Sequence, residues 1–175
     1  MKNDFTCGFI GLGLIGGSIA RAIREFYPQS HILAYDTNQD ALNAAIADGV
    51  INLSLSSIGE AFSGCDYIFL CAPVSENGNN LSKIKKYMSS DCLLTDVGSV
   101  KTDIHKQIEA AGLSSRFIGG HPMAGSERTG YINSKTLLLQ NAYYILTPCK
   151  EIPQKSIDDF KELIASLGAI PLILT

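Results

Sequence analysis

The sequence predicts an α/β domain in which helices cover both faces of a mainly parallel sheet, and three observations support this. Continuous apolar runs alternate with segments of helical periodicity, as buried parallel strands and their covering helices do. A glycine-rich turn, residues 11–16, directly follows the first apolar run. An acidic residue, Asp36, ends the second run. This combination is typical of a doubly wound, Rossmann-type fold.

The predicted strands follow the apolar runs in chain order. Six runs are clear, at residues 5–10, 32–36, 67–72, 92–97, 117–120 and 142–147. A shorter candidate strand lies at 50–53, and residues 169–174 predict a closing strand.

Segments of helical spacing separate these runs. The first predicted helix carries apolar residues from Ile15 to Phe26, and the second follows Thr37, which is expected to be its N-cap. Residues 57–60 read as a capping box before a brief helix, whereas residues 75–80 read as a polar loop. Three further helices are marked by Leu81, Ile84 and Met88, by Ile104, Ile108 and Ala111, and by the run from Ile157 to Leu167, which Gly168 ends.

The glycine-rich turn is the strongest functional signal. Gly11 permits a tight turn from strand to helix, Gly13 keeps a Cβ away from an approaching pyrophosphate, and Gly16 lets helix and strand pack closely. The free N–H groups and the positive dipole end of the following helix favour phosphate. The turn therefore predicts a dinucleotide site formed by Gly11, Leu12, Gly13, Leu14, Ile15 and Gly16.

Asp36 indicates which dinucleotide is preferred. Its carboxylate is placed to accept hydrogen bonds from the adenosine ribose hydroxyls, and it would repel a 2′-phosphate. Thr37 and Asn38 follow it and bring no arginine to offset that repulsion. The expected cofactor is NAD rather than NADP, with Thr37 beside it.

Ligands of an open parallel sheet lie at the carboxyl ends of its strands. The residues that follow the fourth strand, Cys71, Ala72, Pro73 and Val74, are therefore expected to border the cofactor, although they also suit an ordinary strand exit turned by proline. Cys71 alone suits a small buried strand residue better. Ser99 follows the fifth strand, where it suits either the N-cap of a helix or a group at the mouth of the site.

Among the three histidines, one stands out as a proton acceptor. His31 begins a strand and His105 lies on a polar helix face, so both are expected to be solvated. His121 follows the sixth strand between glycines and a proline, where it serves either as a structural loop residue or as a base. Oxidation of an alcohol by hydride transfer needs a group that takes the hydroxyl proton, and imidazole does this near neutral pH.

Composition narrows the class of partner. The 175 residues carry a formal net charge of −3 and no dense run of lysine or arginine, which gives no electrostatic footprint for nucleic acid. No apolar stretch approaches the length of a membrane span. We therefore expect a small-molecule partner, and neither nucleic acid nor a membrane.

Length, cysteine usage and the first residues complete these expectations. A chain of 175 residues with 46% hydrophobic residues predicts one domain, 1–175. Five cysteines at unpaired spacings favour reduced thiols over a disulfide framework or a metal site. Residues 1–4 lead into a strand rather than into a signal peptide, so a cytoplasmic location is expected.

Three motifs together resemble a known family. They are residues 11–18 (GLGLIGGS), 96–101 (DVGSVK) and 121–127 (HPMAGSE), and the last two in this order are the more specific. The chain resembles the nucleotide-binding domain of prephenate dehydrogenase, an enzyme of tyrosine biosynthesis. The resemblance implies NAD-dependent oxidative decarboxylation of prephenate to 4-hydroxyphenylpyruvate, with arogenate as the close alternative substrate.

The resemblance also implies roles for individual residues. His121 is expected to hydrogen-bond to the ring hydroxyl of the substrate and take its proton, while Ser99 orients that hydroxyl and the histidine. Ser126 and Glu127 are expected to line or gate the substrate pocket. The family motif gives no such task to Lys101 or Arg128.

Members of the family continue into a helical domain that forms the dimer and binds the substrate carboxylates, and this chain is expected to lack that domain. The full-length protein is accordingly expected to be a homodimer. Two alternatives stay open at this point. One is a related dehydrogenase that acts on a hydroxy acid or an imino acid, and the other is an NAD-binding module without catalytic activity.

Overall fold

The computed structural model describes residues 4–174, and an eight-stranded sheet runs through them in the order β3-β2-β1-β4-β5-β6-β7-β8. The expectation for the start of the chain rests on residues 1–3, which lie outside the described residues. The strands are β1 (Thr6–Ile10), β2 (His31–Tyr35), β3 (Leu53–Leu55), β4 (Tyr67–Leu70), β5 (Leu93–Asp96), β6 (Phe117–Pro122), β7 (Tyr143–Pro148) and β8 (Ile170–Ile173).

Helices cover both faces of this sheet. Successive strand residues point to opposite sides, and apolar side chains on both sides are buried against helices. On one face, a core containing Phe9 and Phe69 packs against α1 (Leu14–Phe26), α2 (Gln39–Ala47) and α5 (Gln154–Ser166). On the other face, a core containing Ile68 and Leu94 packs against α3 (Asn77–Ile84) and α4 (Thr102–Ala110). The predicted Rossmann-type, doubly wound fold is confirmed.

Winding reverses at β1, which lies between β2 and β4, and this reversal places a crevice at the carboxyl ends of the two strands. All strand pairs are parallel except β6 with β7, whose antiparallel register pairs His121 with Ile145. The sixth strand was expected to end at Gly120. It continues to Pro122 because β7 supplies pairing partners up to that residue, so His121 lies within the end of the strand.

Two predicted helix caps are wrong. The N-cap of α2 is Asn38 rather than Thr37, since the Asn38 side chain accepts hydrogen bonds from the backbone N–H groups of Asp40 and Ala41. The expected capping box at 57–60 does not form. The helix that follows is a 3₁₀ turn, Glu60–Gly64, and it begins after Gly59 without a side-chain cap.

Two further expectations, both in the first half of the chain, differ from the structure. The third strand begins at Leu53 and not at Val50, because Val50 and Ile51 are buried in the turn after α2. The segment 75–80 is helical, with a 3₁₀ turn at Val74–Glu76 that leads into α3. The remaining predicted elements are present and differ from the structure only at their ends. Within residues 4–174, no helix combines the length and apolar character of a membrane span.

Candidate functional site

A cleft of about 990 Å³ opens at the carboxyl ends of the parallel strands. A hollow of about 450 Å³ lies at the opposite edge of the sheet, beside Phe5 and Asp66. Because open parallel sheets bind ligands at their carboxyl edge, the larger cleft is the candidate site. Its walls come from the glycine-rich turn, the ends of β2, β4 and β5, helix α3 and the segment 124–130.

The surroundings of Gly11, Gly13 and Gly16 show why each of these positions requires a glycine. Gly11 has φ +95°, and a Cβ there would lie 2.5 Å from the backbone nitrogen of Ala72. A Cβ at Gly16 would lie 2.7 Å from the Gly11 carbonyl oxygen and 2.9 Å from Cys71 Cβ, so glycine allows α1 to pack against the strand exit. Gly13 lines the cleft, and a Cβ there would meet no protein atom within 4 Å. The space beside Gly13 is thus left open for a ligand.

Helix α1 begins at this space. Gly13 is its N-cap and supplies no side-chain partner to the first N–H groups of the helix, and its first turn carries no acidic residue. These free donors and the positive dipole end suit a pyrophosphate. Leu14 and Ile15 also line the cleft. Leu12 does not, because its fully buried side chain points into the core and only its backbone faces Asp36.

Asp36 joins the glycine turn to the end of β2. Its Oδ2 accepts a hydrogen bond from the Leu12 N–H, and its Oδ1 accepts one from the Asn38 N–H at 2.7 Å. A carboxylate offers about four acceptor positions, so about two stay available for ribose hydroxyls. Asp36 and Thr37 both line the cleft.

The residues after β4 form the opposite wall. Cys71, Ala72, Pro73 and Val74 all line the cleft. Cys71 also packs beneath α1, and burial raises the pKa of its thiol, which keeps the side chain neutral. The structure therefore places Cys71 both in the packing and at the cleft surface.

Sequence reasoning missed a set of cleft residues on α3 and the turn before it: Glu76, Asn79, Asn80 and Lys83. Among the cleft residues that the structure describes, Lys83 is the one cation. The signal was present in the helical spacing of Leu81 and Ile84. It was masked because the preceding buried positions on the same face, Asn77 and Asn80, are polar.

Ser99 is an exposed residue of the cleft wall and does not cap a helix. Helix α4 begins only at Thr102, after Lys101, and it has no side-chain cap. The turn between β5 and α4 is held instead by Asp96, a carboxylate that is 1% exposed. Asp96 Oδ2 accepts hydrogen bonds from the Gly98 N–H and from Lys101 Nζ.

His121 is half-buried at the end of β6, outside the residues that line the cleft. Its Nδ1 is buried and has no hydrogen-bond partner among the described residues. Residue 119 shares its face of the strand, and a Cβ there would lie 3.1 Å from Lys101 Cδ. His121 therefore lies on the side of the sheet that carries the start of α4.

Of the two remaining predicted site residues, one lines the cleft and the other does not. Ser126 lines the cleft, and its Oγ accepts a hydrogen bond from the Arg128 N–H. Glu127 is exposed, and it lies outside the cleft wall together with Leu12, Gly16 and His121.

The segment that carries Ser126 is anchored on α1. Tyr131 packs under the Arg21 guanidinium, 4.7 Å from the ring centroid, and donates a hydrogen bond from its hydroxyl to Asp48. Arg21 also donates to Ser134 Oγ at 2.8 Å, and its hydrogen bond to Asp48 lowers the pKa of that carboxyl. Gly17 permits this close approach, since a Cβ there would lie 2.8 Å from the Tyr131 ring.

The expectation that His105 is solvated is wrong. Its Nε2 lies 3.1 Å from Thr147 Oγ1 and its Nδ1 lies 3.4 Å from Cys149 Sγ, because α4 packs that face against β6 and β7. Burial lowers the pKa of the imidazole. His31 is exposed as expected, and each of the five cysteines is a free thiol.

The fold and the cleft together define a Rossmann-type domain that binds a dinucleotide. The model of the family described as "Prephenate dehydrogenase, nucleotide-binding domain" matches residues 19–172. The chain belongs to this family, as its three motifs indicated. The expectation of a nucleotide cofactor is confirmed at the level of the family.

Curated relatives agree with this assignment. The chain is 35% identical over 162 residues to prephenate dehydrogenase of Bacillus subtilis, a match that covers 91% of the chain and 43% of the relative. It is 30% identical over 148 residues to cyclohexadienyl dehydrogenase of Zymomonas mobilis, which covers 85% of the chain and 50% of that relative. The chain thus spans about half the length of the curated relatives it matches.

Solved structures of relatives share the fold over nearly the whole chain. One is prephenate dehydrogenase of A. aeolicus in complex with hydroxyphenyl propionate and NAD⁺, with a TM-score of 0.91 and 30% sequence identity. The match covers 98% of this chain and 60% of the A. aeolicus chain. Synechocystis arogenate dehydrogenase gives a TM-score of 0.89 at 29% identity, and the match covers 97% of this chain and 59% of the Synechocystis chain.

Proposed function

We propose that this chain is the NAD-binding part of an enzyme that converts prephenate to 4-hydroxyphenylpyruvate by oxidative decarboxylation. The observation that carries the proposal is the meeting of three features at one sheet edge: an open cradle at Gly13, a ribose-binding carboxylate at Asp36, and the ends of β5 and β6 with Ser99 and His121. The family and the NAD⁺ complex of a relative support it.

The residues present suit NAD. The space beside Gly13 and the free N–H groups of α1 accommodate a pyrophosphate, and Asp36 retains acceptor positions for ribose hydroxyls. Bound NAD supplies the acceptor for the hydride that leaves the hydroxyl-bearing ring carbon of the substrate. The protein supplies alignment of that carbon and a base for the hydroxyl proton.

We assign these tasks to two residues. His121 takes the hydroxyl proton as hydride leaves the ring carbon and the carbonyl forms. Loss of carbon dioxide then makes the ring aromatic with its oxygen as a phenolate, and return of the proton to that oxygen gives the 4-hydroxyphenyl product. Ser99, at the cleft wall, orients the hydroxyl and the imidazole. Ser126 and Glu127 belong to the segment that borders or gates the substrate side of the cleft, which is anchored on α1 through Tyr131 and Arg21.

Arogenate is the second candidate substrate. It is favoured by the similarity to Synechocystis arogenate dehydrogenase, whose TM-score of 0.89 nearly equals the 0.91 of the prephenate enzyme. Steady-state assays of the complete protein with each substrate separate the two, since the preferred one gives the higher kcat/KM. For the complete protein we further propose a cytoplasmic homodimer with a small-molecule substrate, and without nucleic-acid or membrane partners.

The 175-residue chain alone is expected to bind NAD and to turn over prephenate and arogenate feebly, because the family places the groups that bind the substrate carboxylates in a further domain. Loss of such remote binding energy lowers kcat/KM by about a hundredfold or more relative to the complete protein. Calorimetry with NAD and absorbance assays of the reduced cofactor measure the two properties. Full turnover by the 175-residue chain would contradict this division of labour.

NAD is expected to bind more tightly than NADP, by about tenfold or more, because Asp36 repels a 2′-phosphate. Asp36→Ala should narrow this gap, and it should also weaken binding of both nucleotides, since Leu12 loses its hydrogen-bond acceptor. Asp36→Asn is the size-matched comparison, because it removes the charge and one of the two acceptor oxygens but keeps the other oxygen for a backbone N–H. Equal affinities of the unmodified chain for the two nucleotides, measured by calorimetry, would refute the preference.

A further inference from the structure

One buried carboxylate links the two residues to which we assign the chemistry. Asp96 ends β5, and its two oxygens accept hydrogen bonds from two different segments. Oδ2 accepts from the Gly98 N–H at 3.1 Å, and Oδ1 accepts from the Gly120 N–H at 3.1 Å. Gly98 directly precedes Ser99, and Gly120 directly precedes His121. The backbone before each functional side chain is thus bound to the same group.

The local packing leaves Asp96 little freedom to move. Asp96 is 1% exposed, and a Cβ at Gly120 would lie 2.5 Å from its carbonyl oxygen, so the strands approach as closely as glycine allows. Lys101 Nζ pairs with Oδ2, and the Lys101 side chain is only 17% exposed. Burial lowers the pKa of Lys101, and the nearby Asp96 charge opposes that shift.

We propose that Asp96 is a positioning residue that fixes Ser99 relative to His121, and that Lys101 balances its buried charge. The inference rests on the proposed function of Ser99 and His121. It also explains why Lys101 is not available to bind a substrate carboxylate: its ammonium group is already paired with Asp96. Both residues lie in the 96–101 motif, but that motif alone does not show that Asp96 reaches β6.

Three variants separate positioning from simple stabilisation. Asp96→Asn leaves one acceptor oxygen for two N–H groups and leaves the buried Lys101 charge unpaired, which is strongly destabilising. Lys101→Met keeps both backbone hydrogen bonds and removes the cation. In the double variant Asp96→Asn/Lys101→Met, no unpaired charge is left in the buried site. The two backbone N–H groups still share a single acceptor oxygen.

Asp66→Asn is the matched control. Asp66 lies at the opposite edge of the sheet, and its Oδ2 accepts a hydrogen bond from the Thr6 N–H at 2.8 Å. It therefore offers the same kind of contact, from a carboxylate to a backbone amide, far from the cleft. Any loss of activity that comes only from a weaker sheet should follow Asp66→Asn as well.

In the complete protein, we expect Asp96→Asn to lower kcat about 30-fold or more, with KM for NAD changed by less than about threefold. The double variant should regain thermal stability but not kcat, whereas Lys101→Met should lose stability and keep kcat within about fivefold. If Asp96→Asn fails to fold, the double variant carries the test. Recovery of kcat in the double variant, or an equal loss in Asp66→Asn, would overturn the proposal.

Amide hydrogen exchange in the 175-residue chain tests the same link without turnover. We expect at least one of the Gly98 and Gly120 amides to lose protection in the double variant, because one acceptor oxygen remains for two N–H groups, while other β5 and β6 amides keep their protection. Unchanged protection at Gly98 and Gly120 would refute the positioning role of Asp96. Absence of prephenate and arogenate turnover by the unmodified complete protein would instead refute the proposed function, so the two failures are distinguishable.

Discussion

His121→Asn in the complete protein is expected to lower kcat by about a hundredfold or more, the scale for loss of a general base. NAD affinity should stay nearly unchanged, because His121 lies outside the wall of the cleft. Asparagine keeps a polar side chain of similar size but cannot accept and hold a proton. Steady-state kinetics and calorimetry with NAD measure the two effects.

The pH profile provides a second readout for His121. The acidic limb that comes from histidine ionisation should disappear from the plot of kcat/KM against pH in the His121→Asn variant. His31→Asn is the control, because His31 is exposed at the start of β2, at the opposite end of the parallel strands from the cleft. Normal turnover of His121→Asn with the same acidic limb would show that this histidine is structural and that the proposed proton transfer is wrong.

Gly13→Val is expected to abolish NAD binding while the domain stays folded. A Cβ at this position would meet no protein atom within 4 Å, so the branched side chain enters the cleft and not the core. It then occupies the space that a pyrophosphate needs beside the start of α1. Calorimetry with NAD should detect no binding, and circular dichroism should show an unchanged helix and strand content.

Two other glycines serve as controls for this prediction. Gly64→Val introduces the same side chain where a Cβ also meets nothing within 4 Å, but outside the cleft, so NAD binding should persist. Gly11→Val should lose the fold itself, because φ is +95° and a Cβ would lie 2.5 Å from the Ala72 nitrogen. Retained NAD affinity in folded Gly13→Val would show that the glycine-rich segment is only a turn.

Two separate sets of hydrogen bonds predict two separate kinds of effect. Asp36 is connected to the glycine turn by the hydrogen bond from the Leu12 N–H and to the start of α2 by the one from the Asn38 N–H. His121 and Ser99 are connected through Asp96 rather than through the glycine turn. Variants of the turn should therefore change nucleotide affinity, and variants around Asp96 should change kcat.

The amino-acid sequence was sufficient to predict the fold class and the cofactor, and it placed Gly11, Gly13 and Asp36 at the edge of the sheet where the cleft lies. These signals are local: a glycine-rich turn, the apolar run before it and the acidic end of the next run lie within residues 5–36. A turn that joins a strand to a helix has few conformations, and each of them requires particular residues. For that reason Gly11, Gly13, Gly16 and Asp36 could be interpreted without knowledge of the remaining chain.

The contacts between distant segments became known from the folded chain. The antiparallel strand β7 extends β6 as far as Pro122, which places His121 inside a strand, and the packing of α4 on β6 and β7 buries part of His105. Helix α3 contributes to the cleft wall, although the polar residues at its buried positions, Asn77 and Asn80, made this segment resemble a loop in the sequence. The bond from Asp96 to the Gly120 N–H spans 24 residues of sequence. Such contacts join segments that are far apart in the chain, and they form only when those segments become neighbours in the folded sheet.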